Sequence, residues 1–208
     1  MFVTRPYKWA AVLVLSLAVA GCGNLGVPAA RFAFFDLGVA TPVDPPLPLA
    51  LARVEVRAPT WLSTGAMQYR IEYRQPAKRE AYSETRWVAE PAEMLGLALD
   101  RALVPDRGAG GKCRLRVELD EFVQEFETAR GSHAIIIARP SLIAPRSDDV
   151  VAQSALMIRE QAPTPDAAGG VIAHRRAARR LANEIAGWIT GLDSADRQGS
   201  GSLERCGQ

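Results

Sequence analysis

The clearest polar and apolar alternation runs from Leu51 to Arg57, where Ala52, Val54 and Val56 alternate with Arg53, Glu55 and Arg57. A period of two places one side of a strand on a core and the other toward water. Pro59 ends that strand. Upstream, Phe32 to Leu37 reads as an aromatic-rich strand, and Ala40 to Pro48, with four prolines, as an extended connector. Met67 to Arg74 alternates again, and Tyr82 to Val88 is its expected hairpin partner. The period then changes. Pro91 suits a first helical turn, and Leu95, Leu99, Ala102 and Leu103 fall on one stripe at helical spacing.

Beyond Pro105 and the glycines at 108, 110 and 111, strand patterning returns. Cys113, Leu115, Val117 and Leu119 share one face, and the apolar phase then shifts to Phe122 and Phe126. Such a shift predicts a bulge near Asp120. Ala134 to Ile143 and Val150 to Glu160 complete a three-stranded meander, with Pro140 marking the middle run as irregular or near an edge. A final helix, released by Gly169 and Gly170, spans Val171 to Ile189. Its apolar side carries Ala177, Leu181, Ile185, Trp188 and Ile189, and its polar side His174, Arg175, Arg176, Arg179 and Arg180. Together these elements predict one α+β domain over residues 32–192, an antiparallel or mixed sheet of five to seven strands covered by two amphipathic helices. Residues 193–208, polar and rich in Gly and Ser, are expected to be a disordered tail.

The N-terminus has a different pattern. Arg5 and Lys8 precede an apolar run from Trp9 to Ala20, and small residues lead to Cys22. This is the layout of a cleaved export signal over residues 1–21, and a dozen apolar residues are too few to span a bilayer. Val19-Ala20-Gly21-Cys22 resembles the bacterial lipobox, which implies a diacylglycerol and an N-acyl chain on Cys22, with residues 22–31 as lipidated terminus and spacer. Three acyl chains would make that anchor stable. Gly23 follows, where an aspartate tends to retain lipoproteins at the inner membrane, so the expected destination is the periplasmic face of the outer membrane.

Composition narrows the partners. The chain has 25 basic and 23 acidic residues, and the signal removes two bases and no acids. A near-neutral domain is a poor ligand for nucleic acid. Of the two remaining cysteines, Cys113 is expected as a buried thiol and Cys206 as part of the tail, although export would permit a disulfide.

Candidate chemistry is sparse. His133 and His174 lie near no spaced set of metal ligands, so neither a metal nor another cofactor is expected. Gly108 to Lys112 superficially suggests a phosphate-binding loop, but Asp106 replaces its first glycine and Cys113 its Ser or Thr. It also joins helix to strand, the reverse of the order that cradle needs. Asp120, Glu121 and Glu125 read as a solvated strand edge, and no Gly-x-Ser-x-Gly elbow occurs. The expectation is a non-enzyme. Arg175, Arg176, Arg179 and Arg180 could contact lipid phosphates or an acidic partner, against the simpler reading of a solvated helix face. Trp61 and Trp87 are candidates for a groove, against the commoner reading as core rings.

Several segments in order carry a wider resemblance: Phe35-Asp36-Leu37, Val54 to Pro59 with Trp61-Leu62, Met67 to Arg70, Arg86 to Pro91, Leu119 to Phe122 with Phe126, and Ala173 to Ala177 with Trp188. In this order the chain resembles the ABC-type transport auxiliary lipoprotein family, which includes the lipoprotein of the paraquat-inducible Pqi system. It departs from the family pattern at Phe35, where tyrosine is common, and at Thr60-Trp61. The resemblance implies a non-catalytic subunit of a system that pairs an inner-membrane ATPase and permease with MCE-domain proteins to move lipids or other hydrophobic molecules across the periplasm. A ring or other homo-oligomer would suit its docking role. The competing readings are a carrier that itself holds lipid and a structural envelope lipoprotein unconnected to transport.

Overall fold

The computed structural model describes residues 31–105, 110–145, 148–195, 197 and 203–207. The signal, Cys22, Gly23 and the spacer through residue 30 lie outside these, as do Asp106, Gly108 and Ala109. No helix among the described residues is long and apolar enough to cross a membrane.

Eight strands form one mixed sheet: β1 (Ala33–Phe35), β2 (Arg53–Arg57), β3 (Ala66–Ile71), β4 (Arg79–Trp87), β5 (Arg114–Thr128), β6 (Gly131–Ile143), β7 (Val150–Gln153) and β8 (Leu156–Gln161). The helices are α1 (Pro91–Leu103), α2 (Ala167–Ala195) and the short α3 (Glu204–Gly207). The α+β class holds, with one strand more than the upper expectation. The third run of the meander divides into β7 and β8.

The long antiparallel pair of β5 and β6 is the spine. β5 carries two parallel partners along one edge, β2 beside residues 114–118 and β3 beside residues 124–126, and β4 and β1 extend the sheet beyond β3. β6 likewise carries β7 near its end and β8 near its start. The predicted bulge is real. Leu119 faces Ala138 but Glu121 faces Ile137, so Asp120 is the extra residue and the buried set moves from Leu115, Val117 and Leu119 to Phe122.

Pro140 corrects an expectation. It sits inside β6, a central strand, opposite Val117. Its carbonyl accepts from Ser154 N–H at 2.9 Å, so its missing donor points to the same side, into the break between β7, whose last residue lies opposite Ser141, and β8, whose first lies opposite Ala138. No ladder bond is lost there.

Both helices contribute to one core with the sheet: Leu95, Leu99 and Leu103 from α1, and Ala177, Leu181, Ile185 and Ile189 from α2. α2 packs on β6 and β8, α1 on β2, and the helices on each other. α2 starts earlier than Val171 because Asp166 caps it: its carboxylate accepts from Gly169 N–H at 2.7 Å and Thr164 Oγ1–H at 2.8 Å.

The C-terminal segment is also a correction. α2 continues to Ala195, Leu203 is buried, and Cys206 forms a disulfide with Cys113, Cα to Cα 5.1 Å. Cys113 is buried as expected, but as half of a cross-link rather than as a thiol.

Candidate functional site

The four arginines of α2 do not act as one patch. Residues four apart lie on one helical face, so they divide into Arg175 with Arg179 and Arg176 with Arg180. Arg180 is engaged with Glu160 at 3.2 Å and Glu184 at 3.5 Å. Arg175 and Arg179 instead line a cleft of about 230 Å³ between α1, α2 and the connector that follows β1. Its apolar wall comes from Leu37, Val43, Ala102, Ala178 and Ala182. The connector is fixed to α1 by a hydrogen bond from Val43 N–H to Ala102 O at 3.0 Å. Small residues on both helices keep the space open. Among the described lining residues, Asp44 is the one acid.

The position of Arg175 depends on Gly38. Its φ is +73°, and its N–H donates to the Asp36 carboxylate at 2.7 Å, closing a tight turn. A Cβ at Gly38 would stand 2.5 Å from Nη2 of Arg175. The guanidinium thus lies against the bare backbone of Gly38.

The two tryptophans are separate in role. Trp87 is 2 % exposed, with its ring edge-on to Phe122 at 5.6 Å, and belongs to the core. Trp61 is 56 % exposed on a 3₁₀ turn over Thr60–Leu62. Trp87 therefore lines no open groove.

His174 was expected on the polar side of the last helix but is 1 % exposed. Its ring centroid is 4.4 Å from that of Phe122 and 5.4 Å from that of Trp87, and Nδ1–H donates to Gly170 O at 2.8 Å. Nε2 has no partner among the described residues. Burial lowers its pKa to about 4, only partly opposed by the Gly170 bond. The imidazole is neutral in the fold, whereas the unfolded chain binds a proton below about pH 6.5. Folding stability should consequently fall as pH drops from about 6.5 to about 4, by up to about 3 kcal/mol, then level off for this group. Urea unfolding at a series of pH values checks this. His174→Phe should flatten the slope across that window, and an unchanged slope would assign the loss to other groups.

The acidic cluster is not a solvated edge, because β5 is central. Glu121 is buried and receives Arg79 Nη2 at 2.7 Å and Arg70 Nη2 at 2.9 Å, and it accepts Phe122 N–H at 3.0 Å. Burial alone would raise its pKa, but the bonds and charges of Arg79 and Arg70 outweigh it and hold the carboxyl below its usual value. Arg70 also reaches Glu125 at 2.5 Å, and Arg139 clamps Asp120 through two bonds of 2.7 Å. These carboxylates are committed to arginines from β3, β4 and β6, a structural network spanning strands. Among the described residues, no three His, Cys, Asp or Glu side chains gather as a metal site.

A second buried hub joins β5 to α2. The Gln124 amide donates to Ser132 Oγ at 2.8 Å and Asp166 O at 3.0 Å, and its carbonyl accepts Tyr82 O–H at 2.9 Å. Burial first, then the nearby Tyr69 and Asp166, raises the Tyr82 pKa and keeps that donor protonated. Sequence periodicity gave no sign of this hub, whose four members come from four separate segments.

Comparison with known proteins agrees with this architecture. Residues 40–186 match the model of the ABC-type transport auxiliary lipoprotein component family. The crystal structure of XCC0632 from Xanthomonas campestris, of the DUF330 family, superposes with a TM-score of 0.65 at 17 % identity, covering 79 % of this chain and 99 % of that one. A second crystal structure, of an uncharacterized protein, gives 0.58 at 11 % identity over 76 % and 99 %. At these identities the likeness is one of fold. No curated protein matches this sequence.

Proposed function

Since the chain belongs to the ABC-type transport auxiliary lipoprotein component family, we propose that it is the non-catalytic outer-membrane subunit of an MCE-linked ABC transport system. Cys22 carries the lipid, and the domain docks an MCE-domain protein and, through it, the inner-membrane permease and ATPase. The family match over residues 40–186 carries this reading, supported by the lipobox-like Val19 to Cys22 and by Gly23 after it. A non-catalytic role is supported by the acids of β5, since Glu121, Glu125 and Asp120 all pair with arginines of neighbouring strands and serve the sheet.

Two measurements test the proposal. Crosslinking and affinity purification of the native lipoprotein should recover an MCE-domain protein together with permease or ATPase subunits, and recovery of the lipoprotein with none of them would overturn it. Cys22→Ala should move the protein from the outer-membrane fraction to the soluble periplasm while its domain remains folded. A variant that still sedimented with the outer membrane would remove the anchor from the account.

A further inference from the structure

We propose that the cleft between α1, α2 and the connector after β1 binds a single-chain anionic amphiphile, with its acyl end against Ala102, Ala178 and Ala182 and its charged end on Arg175 and Arg179. The inference goes beyond the docking role, which requires no ligand.

Three observations carry it. The first is charge. Arg175 and Arg179, like Arg176, have no carboxylate partner among the described residues, whereas Arg180 has two. With Asp44 counted, the described wall of the cleft keeps a net positive charge. The second is preorganisation. Gly38, at positive φ, leaves room for the guanidinium of Arg175, a lining residue of the cleft, and a Cβ there would stand 2.5 Å from its Nη2. A guanidinium so placed offers several N–H donors in the fork that matches a carboxylate or a phosphate. The third is shape. The wall beyond the arginines carries small aliphatic groups from two facing helices, Ala98 and Ala102 against Ala178 and Ala182, suited to a methylene chain, while Thr41, Asp44 and Asn183 supply its remaining polar side chains. At about 230 Å³ the space is below the roughly 300–1,000 Å³ of pockets that enclose drug-sized ligands, so one chain end fits and a two-chain phospholipid does not.

The charged end could be a fatty-acid carboxylate or the phosphodiester of a lysophospholipid, and the test separates these sources. The whole lipoprotein, in phosphatidylcholine vesicles, is photolabelled with diazirine-bearing palmitate, diazirine-bearing lysophosphatidylglycerol or an uncharged diazirine monoacylglycerol, and labelled peptides are mapped by mass spectrometry. The expected result is labelling of the stretches holding Ala102 and Ala178 to Asn183 by one or both anionic probes, and roughly tenfold less by the uncharged one. Palmitate alone would identify a carboxylate ligand, lysophosphatidylglycerol alone a phosphodiester, and both the shared chemistry. Arg175→Gln with Arg179→Gln should reduce the labelling roughly tenfold without lowering the melting temperature, since both side chains are exposed. Ala178→Phe, which fills the cleft, should abolish it. Equal labelling by the uncharged probe, absence of labelling, or labelling that survives the arginine changes would overturn the proposal. If Ala178→Phe fails to fold, the arginine pair decides. Because recovery of transporter partners is measured separately, failure here leaves the docking role standing.

Discussion

Gly170→Ala should destabilise the domain by about 4 kcal/mol, although alanine is the better helix former. A Cβ at Gly170 would stand 2.5 Å from Gln124 Cδ and 2.7 Å from Met67 Cε, in closer contact still with Gln124 Oε1. Neither neighbour can yield cheaply. Met67 is fully buried, and Gln124 is held by Ser132, Asp166 and Tyr82. Overpacking of this kind costs about 1–3 kcal/mol, and turning Gln124 away strands buried polar groups at about 1–3 kcal/mol more. The same substitution at Gly187, seventeen residues along the same helix, supplies the control. No atom lies within 4 Å of a Cβ there, so Gly187→Ala should gain about 0.5–1 kcal/mol through helix propensity. Urea unfolding of the two variants should therefore give midpoints on opposite sides of the parent. Midpoints that moved together would show that α2 does not sit this close to β5.

That contact shows where sequence reading reaches and where it stops. Period-two and helical stripes located the strands from β2 to β6 and both long helices, because burial on one face leaves a repeating mark in the chain, whereas β7 and β8 read as one run. The bulge at Asp120 was legible for the same reason: an extra residue shifts the apolar phase, and Leu119 to Phe122 records the shift. His174 was misplaced by chemical type rather than spacing. It stands at offsets of 4, 7 and 11 before Ala178, Leu181 and Ile185, which is the buried stripe itself. Pro140 misled because a proline's cost depends on what its neighbour strand does, and the gap between β7 and β8 is set by residues more than a dozen positions away. Glu121 looked solvated because its arginines lie 42 and 51 residues upstream on strands whose pairing no local pattern announces. The candidate site divides along the same line. The arginine face was visible, but its partition into an engaged side and a cleft side needed the connector and α1 in place.

The C-terminal segment yields the second large effect. Reduction of the Cys113–Cys206 bond, or Cys113→Ala with Cys206→Ala, should lower stability by about 4–5 kcal/mol. The two residues are 93 apart, and in the chain-entropy picture closing so long a loop removes that much freedom from the unfolded state. The bond also brings a polar segment onto the domain. Cys113 lies just ahead of β5, with its carbonyl accepting Ala52 N–H at 2.8 Å, while Leu203 is buried and Arg205 reaches Val151 O at 3.5 Å. Residues 203–207, from a stretch whose composition reads as disordered, are thus held at the β2 and β7 end of the sheet, with the disulfide as the covalent link. The expected measurements are the absence of free thiol in protein recovered from an oxidising compartment, and a fall in the urea midpoint when reductant is added. The same chain produced without its signal in the reducing cytosol should match the reduced protein, because the link does not form there. A midpoint indifferent to reductant would mean that the last turn contributes nothing to the fold. The cysteine at 206 would then be as idle as its surroundings suggest.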